Sequence, residues 1–490
     1  MVFFLLDVEA MHGETQKESG QEINISFGYR CINGSFGESE IPRLRRASSS
    51  FSCLSGAALS ANATLVNTNI CNGLMGTEIL PALDSPRSFR RIPSSASFST
   101  LLSSSLPSSF SNFSLNSSSP DSCNDSFLSN STDVQVAGGA AGEDRVQAVH
   151  SEENGWLFCG IYDGFNGRDA ADFLAGTLYE RVRCYLNMLD SELEQESTGG
   201  DSDRLALDET LDKKPIGLSS MEWEKLGDSF EHKVLNSLQS ALNQAENDFL
   251  YVVEQEMEDR PDLVSVGSCV LLTLLYGKNI YVLNLGDSRA VLATYNDCVH
   301  THDGNGLQAV QLTPIHTVDD ELERNLLLND HPDDPSPIVA GKVKGKLKVT
   351  RALGVGYLKK KNMNEALMGI LKVRNLTSPP YVSAQPSLFV HEISSADHFV
   401  ILGSDGLFDF FTNDELVKLV HSYLLSNTLG DPAKFLVEQL VMRAANSAGF
   451  SMEEMLSIPD GMRRKYHDDV TVIVIILGTN QRTSKASTQI

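Results

Sequence analysis

The chain has 490 residues, 41% of them apolar, and a formal net charge of −25. That length leaves room for a large buried core, and the acidic balance excludes an obvious nucleic-acid or anionic-membrane binder. Residues 1–134 carry only −4 of the charge, so −21 falls on the remainder.

Between Ser94 and Ser131, 18 of 38 residues are serine, without a sustained period, which is too little apolar surface to offset ordering entropy. Residues 1–134 are therefore expected to form a disordered Ser-rich region, 135–478 one globular domain and 479–490 a disordered tail. Within the N-terminal region, Ser48 and Ser94 follow paired arginines at a spacing that suits basophilic kinases.

In chain order the domain reads as a strand over Val146–His150, a turn over 152–155 and a strand over Trp156–Tyr162. A helix is expected from about Arg168, with the stripe Ala170, Ala171, Leu174, Leu178 and Val182. The acidic, Gly/Ser-interrupted residues 190–220 read as an insertion loop. A long helix is expected from Met221 to about Val253, carrying Trp223, Leu226, Phe230, Val234, Leu238, Leu242, Ala245 and Phe249 at helical spacing. Strands follow at Ser268–Tyr276, Asn279–Leu285 and Arg289–Thr294, then helices at Asn413–Leu425 and Pro432–Ala445, then a last strand at Val470–Leu477. Antiparallel strands at both ends with long helices between them imply sheet packed on sheet with helices outside.

Acidic residues stand at the ends of these apolar runs: Glu143-Asp144, Asp163-Gly164, Asp287, Asp405-Gly406 and Asp468-Asp469. Strands of this kind stack in a core, so their polar ends can meet at one rim. Carboxylates meeting there without matching Arg or Lys would repel one another unless cations sat between them. Asp-Gly is also ordinary turn chemistry, and Asp303-Gly304 and Asp460-Gly461, which follow no apolar strand, read as plain turns. Five strand-end acidic sites in order are a different signal: the pattern points to a metal site.

The eight cysteines show no Cys-x-x-Cys and no zinc spacing, and Cys159 and Cys269 lie inside apolar strands as buried thiols. No run reaches transmembrane length, the apolar start is too short for a signal peptide, and position 2 is not glycine. The expectation is a soluble intracellular protein of the cytoplasm and/or nucleus, with no integral membrane contact.

Glu143-Asp144, Tyr162-Asp163-Gly164, Gly267-Ser268, Gly286-Asp287-Ser288-Arg289, the run Val349 to Gly354, Ser404-Asp405-Gly406 and the run His467 to Val470 resemble, in order, the metal-dependent type 2C serine/threonine protein phosphatases. Phe165-Asn166-Gly167, the segment Gly345 to Arg351 and Tyr466-His467-Asp468-Asp469 look most like the plant Poltergeist-like branch. The resemblance implies an α+β fold, a four-layer α-β-β-α sandwich of two antiparallel sheets flanked by helices. It implies two Mg²⁺ or Mn²⁺ ions in the cleft between the sheet rims, with a weaker third position. By the family's motif Asp163 would bridge both ions and the Gly164 carbonyl would serve one. Asp405 and Asp468 would bind the second, while Glu143 and Asp144 would act directly or through waters. Asp287 with Asp405 would match the third position, and Asp469 stands where the family usually has Asn, so metal binding could shift between the paired carboxylates. Catalysis would rest on Asp163, Asp405 and Asp468, through a hydroxide shared by the ions and no covalent phosphoenzyme.

The resemblance departs in two places. Phe165 replaces the histidine assigned as general acid, and Gly139 stands where an arginine thought to hold substrate phosphate is usual. His316, His150 and His467 are candidate substitutes for the acid, against the bland reading of structural histidines. The alternating Lys342, Lys344, Lys346 and Lys348, ending near Arg351, would project to one face of an extended hairpin. That face is either a solvated edge strand guarded by lysines or, on the sharper reading, a substrate-binding patch of Lys344, Lys346 and Arg351. The expectation is a slow, monomeric phosphatase acting on phosphoprotein substrates, with a kinase as a further partner in a signalling pathway. The alternative is a pseudophosphatase or phosphoprotein-binding scaffold.

Overall fold

The computed structural model describes residues 25–30, 50–62, 133–151, 154–198, 229–295, 306–427, 430–459 and 461–478. Ser48, Ser94, the serine-rich stretch, Trp223, Leu226, Asp303-Gly304, Asp460 and the tail 479–490 lie outside these residues.

The strands in chain order are β1 (Ile25–Arg30), β2 (Phe51–Leu59), β3 (Asp133–Ala141), β4 (Asp144–Ser151), β5 (Trp156–Phe165), β6 (Gly267–Tyr276), β7 (Asn279–Leu285), β8 (Arg289–Tyr295), β9 (Leu307–Gln311), β10 (Ile338–Val339), β11 (Lys342–Val343), β12 (Leu353–Gly354), β13 (Ser387–Glu392), β14 (Asp397–Gly403) and β15 (Val470–Leu477). One sheet runs β1-β2-β15-β14-β8-β9 and the other β13-β7-β6-β5-β4-β3, with β12 pairing β6. Pairing within both sheets is antiparallel, for instance Leu402 opposite Ile473 and Cys159 opposite Thr273.

Period-two alternation divides each apolar run between two cores. In β15, Ile473, Ile475 and Leu477 join the layer between the sheets, while Val470, Val472 and Val474 pack toward the helices Asn413–Ser426 and Pro432–Ala448. In β5, Leu157, Cys159 and Ile161 face the other sheet, while Trp156, Phe158 and Tyr162 pack with the helices Asp169–Thr198 and Phe230–Glu256. The result is the expected four-layer sandwich, with buried apolar residues on both faces of its central strands.

The expected boundary at residue 135 is corrected. β2 lies between β15 and β1, so residues 51–59 form part of the first sheet. Leu54 enters the layer between the sheets, and Ala57 and Leu59 pack on the helix side. The segment Phe51-Ser-Cys-Leu-Ser-Gly-Ala-Ala-Leu59 is made mostly of small residues, so it lacks the bulky alternation that marks a strand in sequence.

Two other boundaries move. The helix begun at Asp169 runs to Thr198, through the first part of the expected insertion loop, because Glu, Leu and Gln there are good helix formers. The second long helix is described from Phe230, where the Ser229 hydroxyl accepts the His232 N–H at 3.3 Å as an N-cap. Among the described residues, no helix is long and apolar enough to cross a membrane.

Candidate metal centre

Asp163 continues the parity of Leu157, Cys159 and Ile161, so it carries the inner face of β5 to the rim of the sandwich. Asp405 follows β14, Asp468 precedes β15, and Asp287 sits between β7 and β8. The glycines after Asp163 and Asp405 have ordinary negative φ, so neither is there for a left-handed turn. They are there for close approach. A Cβ on Gly164 would meet the Glu143 carbonyl oxygen at 2.5 Å, and one on Gly406 would strike the Asp469 carbonyl. Each Asp-Gly pair thus lets a second acid-bearing segment come against it.

Glu143 and Asp144 sit on the tight turn between β3 and β4. Buried Arg145 locks that turn: its Nη1 donates to the carbonyls of Gly142 and Asp144 at 2.7 and 2.6 Å, and its Nε to Asp172 at 2.5 Å. Glu143 Oε1 accepts the Gly167 N–H at 2.6 Å, and Oε2 lies 3.3 Å from Asn62 Nδ2 and 3.4 Å from Arg464 Nη1. Thr471 donates its hydroxyl to Asp144 Oδ2 at 2.9 Å, and its backbone N–H to Ser404 Oγ at 3.0 Å. The segments carrying Asp144, Asp405 and Asp468 are therefore joined by one short polar network.

The acidic groups of the centre outnumber the cation in contact with them, Arg464. Burial, then the charges of Asp405, Asp144, Asp287 and Asp468, push the Asp163 carboxyl well above its ordinary range. Burial, then Asp287, Asp468 and Asp409, does the same to Asp405. Asp144 is raised by burial and then by Asp469, against the Thr471 hydrogen bond. Glu143 is pushed up to about 7 by burial and Asp469, with Arg464 and the Gly167 N–H opposing. Such a set of oxygen donors that resist sharing one cleft as bare anions suits hard divalent cations such as Mg²⁺ or Mn²⁺. Asp163 and Asp287 also gather around the buried thiol of Cys269: one ligand atom from each of the three lies within 4.8 Å of the others. Cys269 Sγ is 3.2 Å from Asp287 Oδ1.

Asp469 is a correction. Its Oδ1 accepts the N–H groups of Ala61 at 2.7 Å and Asn62 at 3.0 Å, and its Oδ2 accepts that of Glu143 at 2.7 Å. A carboxylate occupied in this way ties backbone segments together, and it is a poor candidate for the metal ligand expected from the sequence.

The expected cationic patch is also corrected. β10 and β11 are two residues each, and Lys344 then takes a left-handed φ of 49°, which ends the alternation. Lys344 is buried, 2.8 Å from Asp334, and its ammonium stands over the Tyr381 ring. Arg351 is buried against Glu323 and also donates to the Gln385 carbonyl at 3.1 Å. Lys346 reaches the exposed Ile370 carbonyl at 3.4 Å, and Lys348 pairs with Asp319 at 3.1 Å. No common face remains.

The candidate acids fare as follows. His316 is fully buried, with Nδ1 accepting the Gly286 N–H at 3.1 Å and Nε2 2.8 Å from Ser387 Oγ, so both nitrogens are engaged in structure. His150 lies at the far end of β4 from Asp144, edge-on to Phe51. His467 is buried beside the site, its Nδ1 2.7 Å from the Asp468 carbonyl. Phe165 packs into the helix-side core, its ring over Gly267. At Gly139, Ile25 of β1 fills the space a side chain would need.

Four participants escaped the sequence reading: Arg464, Asp409, Asn62 and Cys269. Arg464 and Asp409 each stand four residues from a ligand candidate, Asp468 and Asp405, at the separation of one helical turn. That spacing was the available signal; Asn62 had none.

Residues 118–448 match the family model described as "Protein phosphatase 2C". The chain is 59% identical to "Probable protein phosphatase 2C 40" of Arabidopsis thaliana, over 95% of this chain and 98% of that one. It is 53% identical to "Probable protein phosphatase 2C 39" of Oryza sativa subsp. japonica, over 96% and 95% respectively. Among solved structures, a serine-threonine phosphatase 2C from Toxoplasma gondii aligns at 18% identity and a TM-score of 0.41, covering 69% of this chain and 90% of that one. The chain belongs to the protein phosphatase 2C family. It is a plant-type member and a protein phosphatase by that membership.

Proposed function

We propose that the chain is a metal-dependent serine/threonine phosphatase, hydrolysing phosphoserine and phosphothreonine in proteins at the acidic cleft between the sheets. The observation that carries this reading is the meeting of six carboxylates at one rim: Glu143, Asp144, Asp163, Asp287 and Asp405, whose ionisation burial and neighbouring negative charge oppose, with Asp468 beside them. Bound there, two divalent cations would supply charge neutralisation for a phosphate dianion and an activated water.

Asp163 has Asp405, Asp144, Asp287 and Asp468 as acidic neighbours and is the carboxylate suited to serve both ions, with the Gly164 carbonyl next in the chain. Asp405 and Asp468 flank it from the other sheet. Asp144, held by Thr471 through one oxygen, keeps the other for an ordered water. Arg145 and Gly167 fix the position of Glu143, so the cleft is organised before ligands arrive.

Phe165 offers no proton, both His316 nitrogens are engaged and His150 stands at the far end of β4, so a serine or threonine leaving group departs with little acid assistance unless His467 beside Asp468 supplies it. Loss of that assistance costs on the order of 10²–10⁴ in rate, while a nitrophenyl phosphate, whose leaving group needs no proton, suffers less. The test is Mn²⁺- or Mg²⁺-dependent phosphate release from a phosphoserine peptide by the full chain, with Asp163→Asn as control. Turnover lost in Asp163→Asn supports the reading. Tight metal binding without turnover in the unaltered chain would favour a pseudophosphatase that binds phosphoproteins.

A further inference from the structure

We propose that Arg464 is the residue that grips the phosphoryl oxygens of the substrate, an inference that rests on the phosphatase reading above. Arg464 is the middle residue of a short 3₁₀ turn, Arg463–Lys465, and stands four residues before Asp468. Its Nη1 is 3.4 Å from Glu143 Oε2, its Nη2 is 3.3 Å from Asp468 Oδ2, and its side chain is 50% exposed.

Both contacts are long. A guanidinium committed to one carboxylate forms two parallel hydrogen bonds of about 2.7–2.9 Å. Arg464 is instead splayed between two carboxylates on different segments, using two of its five N–H groups in these contacts while half of the side chain stays exposed. Among the described residues, it is the cation within ion-pair distance of two carboxylates of the centre.

The other nearby cations are differently employed. Lys348 is paired with Asp319, and the Arg289 guanidinium lies 4.7 Å from the Phe408 ring centroid. Lys344 and Arg351 are buried in ion pairs. Arg464 alone of these combines exposure with contact to the centre.

Glu143 and Asp468 are also candidate metal ligands, so a divalent cation and Arg464 compete for the same oxygen lone pairs. Cation binding neutralises those carboxylates and weakens their hold on the guanidinium. The planar, permanently charged donor set then faces a phosphate dianion, whose oxygens it matches in geometry. The competition gives the idea a sign that a purely structural role lacks. If Arg464 merely held Glu143 and Asp468 in place, its removal would weaken metal binding. If it is a competing cation reserved for phosphate, its removal leaves metal binding equal or tighter and weakens phosphate binding.

The experiment uses the full chain and the variants Arg464→Ala and Arg464→Lys. Calorimetry first measures Mn²⁺ binding to each metal-free protein, then inorganic phosphate binding to each Mn²⁺-saturated protein. KM for a phosphoserine peptide is measured in parallel. The expected result is Mn²⁺ affinity unchanged or higher in Arg464→Ala, with phosphate binding weakened roughly 10–100-fold, the worth of a charge-assisted hydrogen bond or two. Arg464→Lys should fall between, since it keeps the charge and loses the fork. Phosphate affinity within about twofold of the unaltered chain, or Mn²⁺ affinity falling in step with it, overturns the proposal. Phosphate binding is read without turnover. An inactive chain that still binds phosphate through Arg464 would therefore remove the phosphatase reading alone, while an active chain indifferent to Arg464→Ala would remove this inference alone.

Discussion

The carboxylate of Asp469 accepts the backbone N–H of Ala61 at 2.7 Å, joining residues 408 positions apart. The same carboxylate takes the N–H groups of Asn62 and Glu143, so one side chain ties the end of β2 to the turn that carries the metal-ligand candidates. Removing residues 1–62 should therefore damage the centre as well as a sheet edge. A fragment starting near Gly138 is expected to lose cooperative thermal unfolding and Mn²⁺-induced stabilisation, whereas a chain starting near residue 24 should keep both. Retention of both by the shorter fragment would show that β2 is dispensable.

Asp469→Ala leaves three backbone N–H groups without their acceptor and should cost about 2–4 kcal/mol. Asp469→Asn should cost less, because its amide oxygen can still accept from Ala61 and Asn62, while its amide nitrogen would face the Glu143 N–H. Denaturant unfolding of the two variants gives the order; equal losses would count against the clamp.

Metal stabilisation should grow with pH. Glu143 titrates near 7 in the folded chain instead of at its ordinary 4.5. A carboxyl raised by folding takes up a proton more readily in the native state, so the ionised group costs stability as pH climbs from about 4.5 through about 7. Divalent cations relieve that cost only where the carboxylates are ionised. The gain in Tm from saturating Mg²⁺ is therefore expected to be larger at about pH 8 than at about pH 5, and to be largely absent in Asp163→Asn. A gain independent of pH would place the ions elsewhere.

Lys344→Ala should destabilise without affecting substrate binding. The variant leaves Asp334, whose side chain is fully buried, without its ammonium partner, a loss of about 3–5 kcal/mol. Burial alone would raise the Asp334 carboxyl, but Lys344, Tyr381 and the Ser336 N–H hold it at about 2. Its contribution is therefore complete above about pH 4 and is lost as pH falls through about 2. Thermal melts across that range, together with KM for a phosphopeptide at neutral pH, test both halves. A raised KM with unchanged stability would restore the substrate-patch reading.

Cys269 places a soft thiol among hard oxygen donors. Cd²⁺ should bind the centre with a contribution from Sγ that Mg²⁺ does not use. Cys269→Ser is expected to weaken Cd²⁺ binding about tenfold and to change Mg²⁺ binding by less than about twofold, as measured by calorimetry. Parallel changes for both ions would show that Cys269 acts only through packing.

The order of the acidic strand ends, the continuous apolar runs of β5, β14 and β15, and the long helix stripes were all legible in the chain, because local period and residue type alone specify them. Those features single out six carboxylates of the candidate centre, and the family resemblance points to the same six. The small-residue strand β2 was not legible: with Ser, Gly and Ala at most positions, its place in the sheet comes from its neighbours.

The lysine run shows the same limit from the other side. Its alternation suggested one face, yet the left-handed Lys344 and its partner Asp334, ten positions away, put the charge inside the fold. Asp468 and Asp469 are adjacent and chemically alike, and their partners separate them: Asp469 accepts three backbone N–H groups from distant segments, while Asp468 accepts the neighbouring Asp469 N–H at 2.8 Å and lies 3.3 Å from Arg464. Sequence determined which groups could carry charge to the ends of strands. Folding decided which of them kept free lone pairs, because hydrogen-bond partners more than three hundred residues away consume that capacity and no local pattern records them.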